Sequence, residues 1–88
     1  MYKLVLTPEA QRAYERLYYS DREHFKRIAI ALEGLKSEPF AGKPLKFEFK
    51  GQYSLRVGFY RIIYQVEKRQ VMVVVLDIGH RRDIYERK

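Results

Sequence analysis

The chain has no cysteine, which excludes disulfides, thiolate metal sites and a cysteine nucleophile together. Histidine is almost as scarce. His24 and His80 are the only two among 88 residues, with no closely spaced carboxylate–histidine set beside them, so a metal site is not expected. Ser20, Ser37 and Ser54 stand in no nucleophile motif, which argues against a Ser-His-Asp triad. No glycine-rich phosphate loop occurs, and no cofactor is expected. The longest apolar run, Val71 to Leu76, is far below membrane-spanning length, and the stretch Met1 to Pro8 is too short for a signal-peptide apolar region. The expectation is a cytoplasmic protein that does not contact membranes. No Pro, Gly or Ser tract, internal repeat or low-complexity segment interrupts the chain, so residues 1–88 read as one domain.

What is abundant is positive charge. Lysine and arginine total 18 against 11 acidic residues, a formal charge of +7, with a pI near 9.8. A small domain this basic commonly meets a polyanion, because each neutralised phosphate releases counterions. An acidic protein would satisfy the same charge. Hydrophobic residues make up 47% and aromatics 15%, enough for a core, although a domain of this size removes only about 60% of its unfolded surface from water.

Periodicity supplies the order of elements. Tyr2 to Leu6 alternates as a strand and runs into Thr7-Pro8, a cap residue followed by proline at the first helical position. From Pro8 to about Tyr19, Ala10, Ala13, Tyr14, Leu17 and Tyr18 recur at helical spacing. Ser20-Asp21-Arg22-Glu23 fits a capping box with Ser20 as the cap. Phe25, Ile28, Ala29, Leu32 and Leu35 form the stripe of a second helix, which Gly34 and Lys36-Ser37-Glu38-Pro39 end near residue 36. Residues 37–44 read as a loop. Three β-rich segments follow, Lys46 to Arg56, Tyr60 to Val66 and Val71 to Ile78. The fold class predicted is therefore α+β: an N-terminal strand, an antiparallel helical hairpin and a three-stranded antiparallel meander, with the helices on one face of a twisted sheet.

Strand alternation then sorts the side chains. Tyr53, Leu55 and Val57 share a face, as do Tyr60, Ile62, Tyr64 and Val66, and pairing these faces leaves Arg56 and Arg61 together on the side away from the helices. His80, Arg81, Arg82 and Tyr85 add basic and aromatic groups near the end of the chain. Arginines hold phosphate through paired hydrogen bonds, aromatic rings stack on bases, and histidine titrates near neutral pH. Such a set suffices for metal-free RNA cleavage, in which a 2′-hydroxyl attacks the adjacent phosphorus, a base takes its proton, arginines stabilise the anion and an acid protonates the leaving 5′-oxygen. The plainer readings are solvated strand arginines, a basic tail, a terminal tyrosine anchor, core positions for Tyr14, Tyr18 and Tyr64, and a surface or helix-interface position for His24.

The block Tyr53-Ser54-Leu55-Arg56-Val57-Gly58-Phe59-Tyr60-Arg61-Ile62-Ile63-Tyr64, with Ile78-Gly79-His80-Arg81-Arg82-Asp83-Ile84-Tyr85, resembles the RelE/ParE toxin superfamily. The resemblance spans the chain, from Thr7-Pro8-Glu9-Ala10 through both helices to Lys43-Pro44-Leu45-Lys46. It implies a toxin encoded with an antitoxin. RelE-like members cut messenger RNA in the ribosomal A site, whereas ParE-like members act on DNA gyrase. The RelE pattern maps onto Arg56, Arg61, Arg81 and Tyr85: Arg61 and Arg81 would stabilise the scissile phosphate, Tyr85 would stack on a codon base, and His80 would carry a proton. Lys46, Lys50 and Arg82 would add RNA contacts. Ser54 departs from the pattern where many relatives carry a basic residue, and Phe59 replaces a common acidic one. Arg81 and Tyr85 together favour the RelE branch, with a gyrase poison or an inactive RNA-binding relative as alternatives. The implied partners are the ribosome and messenger RNA, and a cognate antitoxin whose acidic, partly disordered segment forms a toxin–antitoxin hetero-oligomer.

Overall fold

A computed structural model describes residues 1–80 of the chain. Strand β1 (Lys3–Leu6) leads into helix α1 (Pro8–Ser20), and helix α2 (Arg22–Ser37) returns antiparallel to it. A two-residue strand β2 (Lys43–Pro44) and a 3-10 turn at Phe47–Phe49 precede β3 (Gln52–Val57), β4 (Tyr60–Glu67) and β5 (Met72–His80). The five strands lie in the order β1-β5-β4-β3-β2, with β1 parallel to β5 and the other pairs antiparallel. The α+β class and the meander of β3 to β5 agree with the pattern in the sequence.

Helix α1 starts as its sequence dictates. Thr7 Oγ1 accepts from the Ala10 amide at 3.2 Å and donates to the Leu76 carbonyl at 3.1 Å, so the cap also ties the helix to the sheet. The start of α2 differs from expectation. Asp21, not Ser20, is the cap: its Oδ1 accepts from the His24 amide at 3.1 Å. Ser20 is the last residue of α1 and donates to the Arg16 carbonyl. Asp21 also closes α1 through its own amide to the Leu17 carbonyl, so one residue ends one helix and begins the next.

Ala10, Ala13 and Leu17 of α1 and Ile28, Leu32 and Leu35 of α2 cover one sheet face, where Val57, Ile62, Tyr64, Val73, Val75 and Ile78 complete the core. Tyr14 and Tyr18 of the expected stripe sit at its margin, Tyr14 stacked on Phe25 at 4.6 Å and Tyr18 partly exposed. The segment from Lys46 to Gly51 is not strand. Phe47 and Gly51 adopt positive φ (58° and 97°), which breaks the extended run before Gln52. Conversely, Lys43–Pro44 pairs with Tyr53 and Ser54 inside the expected loop. Proline is tolerated at such a sheet edge because no neighbour needs its missing donor. The fully buried Tyr64 hydroxyl accepts from the Gly42 amide at 2.9 Å and anchors this edge to the core.

Candidate nucleic-acid interface

The β3–β4 hairpin carries the basic pair. Its register sets Arg56 directly opposite Arg61, on the face away from the helices, as alternation predicts. Arg56 is exposed and Arg61 half-buried. Like charges directly opposite one another weaken a sheet, so the sequence keeps this pair against its local cost. Arg61 lies opposite Gly79 on β5.

One row along the same face, Ser54 is buried, and its Oγ accepts from Arg61 Nη1 at 3.3 Å. Arg56 Nε reaches the Gly58 carbonyl at 3.4 Å. Lys43 pairs in register with Ser54 and therefore shares this face. Sequence reading missed Lys43 because a two-residue strand has no periodicity; the Lys-Pro pair beside a strand block was the only available sign. Asp77, in register with Ile63, brings a carboxylate to the same face, where its Oδ1 accepts from the Ile78 amide at 2.8 Å.

Other expected members lie apart. Lys46 and Lys50 bracket the 3-10 turn at the Gln52 end of β3. Arg56 is four strand residues further on, on the order of 13 Å at the usual rise. His80 lies on the helix side of the sheet, opposite to Arg56 and Arg61. A β-bulge places an extra residue, Leu76, between the pairs Ile63–Asp77 and Tyr64–Val75. Side-chain period is two, so one inserted residue reverses the faces of everything beyond it. Ile78 turns into the core and His80 follows on the helix side, in register with Tyr60. Its ring contacts Tyr60 at 5.7 Å and Phe59 at 6.3 Å. It also lines a cavity of about 350 Å³ with Arg16, Leu17, Tyr19 and Tyr60. Without the bulge, His80 would have joined the arginine pair.

The hairpin turn is braced from the helices. His24 packs against Tyr60 and Phe59, and its Nδ1 lies 2.9 Å from Asp21 Oδ2. The hydrogen bond from the His24 amide, more than the one from its ring, holds the Asp21 carboxyl below the usual carboxylate range. Gly58 takes φ 61°, and a Cβ there would stand 2.6 Å from His24 Nε2. Among the described residues no group of three His, Asp or Glu side chains could hold a metal ion, and no helix is long and apolar enough to cross a membrane. Arg81, Arg82 and Tyr85 lie outside the described residues.

Comparison with known proteins identifies relatives of the chain as a whole. A family model described as the ParE toxin of the type II toxin–antitoxin system parDE matches residues 4–85. Toxin RelG of Mycobacterium tuberculosis is 41% identical over 61 residues, covering 68% of this chain and 70% of that protein. The toxin–antitoxin complex RelBE2 of the same organism superposes with a TM-score of 0.81 at 30% identity, covering 91% of this chain and 98% of the matched one. A YoeB/ParE toxin from Agrobacterium tumefaciens gives a TM-score of 0.79 at 28% identity, with coverage of 89% and 96%.

Proposed function

Because the chain belongs to the ParE toxin family of type II toxin–antitoxin systems, within the RelE/ParE superfamily, we propose that it is an endoribonuclease that cuts messenger RNA on the ribosome. The observation that carries this reading is the Arg56–Arg61 pair, set in register on the face of β3 and β4 that points away from the helices. Two arginines carried on neighbouring strands of one face favour an anion there, and a phosphodiester offers non-bridging oxygens to both. In this reading the ribose 2′-hydroxyl attacks the adjacent phosphorus. Arg61 and Arg56 hold the non-bridging oxygens as charge builds on them, and the 5′-oxygen departs with a proton. The products are a 2′,3′-cyclic phosphate and a 5′-hydroxyl. Arg81 would add a third cation and Tyr85 a stacking surface, as the resemblance implies. With His80 turned to the helix side, the proton carrier in this scheme is a different group or water.

A cognate antitoxin completes the proposal, with an acidic, partly disordered segment that folds over the basic face. A second reading, a gyrase poison, draws on the matched family model, which is named for ParE. Induced expression separates the two. New messenger RNA ends at ribosome-occupied codons, relieved by Arg61→Ala, are the outcome expected of the nuclease. Double-strand DNA breaks with messenger RNA intact would replace that reading with the gyrase one.

A further inference from the structure

The 3-10 turn before β3 holds Phe47 in the left-handed region, at φ 58°. A Cβ makes that conformation costly for any residue but glycine, and a bulky side chain is a clear exception there. The turn itself needs only the backbone. The Phe47 carbonyl accepts from the Lys50 amide at 3.0 Å and the Lys46 carbonyl from the Phe49 amide at 3.1 Å, and glycine at position 47 would serve both. Val71 is the other non-glycine residue with positive φ among the described residues. It is more than half buried, and its carbonyl accepts from the Lys3 amide at 2.8 Å, which docks β1 beside β5. Packing does not compensate Phe47 in the same way. It is 87% exposed, more than any other large apolar residue among those described except Met1. Single exposed apolar residues are ordinary on a protein surface; one that is also strained calls for a use.

The surroundings indicate which use. Lys46 and Lys50 bracket the ring and are both exposed, Lys43 stands exposed on the adjoining edge strand, and Glu48 is the one carboxylate of the turn. We propose that Phe47 is a stacking platform for an unpaired base of the messenger RNA, with the lysine ammonium groups meeting the phosphates on either side. The choice of ligand rests on the nuclease reading, while the stacking itself is testable without it. The turn adjoins the Gln52 end of β3, on the order of 13 Å from Arg56 at the usual strand rise. The base it meets therefore belongs to a nucleotide away from the cleaved linkage, so Phe47 holds the strand and takes no part in the chemical step.

The experiment compares wild type, Phe47→Gly and Phe47→Tyr. Glycine suits the positive φ, so Phe47→Gly is expected to unfold at or above the wild-type thermal midpoint. A lower midpoint would show that the ring packs on the protein and would overturn the proposal. Binding is read with a single-stranded RNA oligomer carrying a fluorescent purine analogue, whose emission is quenched by stacking. Wild type and Phe47→Tyr are expected to quench it, whereas Phe47→Gly is expected to lose the quenching and to bind about 5- to 150-fold more weakly. Absence of quenching by wild type, or equal quenching and affinity in Phe47→Gly, would overturn the platform. So would unchanged RNA affinity combined with weaker binding of the cognate antitoxin, which would assign the ring to a protein partner. Cleavage on translating ribosomes is scored separately. A wild type that stacks on the oligomer but cuts no messenger RNA would defeat the nuclease reading and leave Phe47 as an RNA-binding residue.

Discussion

Arg56 and Arg61 stand in register across β3 and β4, and like charges so placed weaken a sheet. Arg56 is exposed, so replacing it removes repulsion without opening a cavity. Arg56→Thr, which also suits a strand, should stabilise the fold by about 0.2–1 kcal/mol. The gain should shrink as salt screens the pair, and urea titrations at two ionic strengths measure both. A loss of stability at low salt would mean that the pair is not repulsive. The same substitution should lower RNA cleavage by about 10²-fold. Gly58 is the complementary case, where any side chain is strained. Its φ of 61° and the 2.6 Å approach of His24 Nε2 leave no place for a methyl group. Gly58→Ala should destabilise by about 1–3 kcal/mol, read from the denaturation midpoint.

At the scale of elements, the helical hairpin depends on Asp21, which ends α1 and caps α2. Its carboxyl titrates below the ordinary value because the His24 amide and ring hydrogen-bond to the charged form. A depressed pKa in the folded state gives stability that is present above the unfolded carboxylate value, near 3.9, and is lost as pH falls through the lower folded value. Asp21→Asn keeps a capping oxygen but removes the titration. Its thermal midpoint should therefore fall less steeply than wild type as pH drops below about 4; parallel curves would contradict this. Much of this level was legible in the sequence. Thr7-Pro8 marked the start of α1, both helical stripes contain the buried residues, and alternation placed Arg56 and Arg61 together. What escaped detection has a physical cause in each case. Ser20 and Asp21 are adjacent capping residues, and only the close abutment of the helices selects Asp21. Lys43–Pro44 pairs through two residues, too few for a period. The bulge at Leu76 changes no residue type, yet it moves His80 to the far side of the sheet.

The whole molecule carries a formal charge of +7, and its basic strand face and its helical face lie on opposite sides of one sheet. An antitoxin with an acidic segment should be steered to this surface, so its association rate should fall about tenfold or more from low to high salt while its lifetime changes less. Stopped-flow mixing of toxin with antitoxin across ionic strength measures this, and a salt-independent rate would reject electrostatic docking. The nuclease proposal makes a sharper demand, because metal-free attack by a 2′-hydroxyl leaves a distinctive pair of termini. The most direct measurement is the end chemistry of messenger RNA after purified protein is added to translating ribosomes. The account predicts 2′,3′-cyclic phosphate and 5′-hydroxyl ends at ribosome-occupied codons, unaffected by chelators and reduced about 10²- to 10³-fold by Arg61→Ala. Intact messenger RNA, or cleavage at the wild-type rate by a folded Arg61→Ala protein, would contradict it.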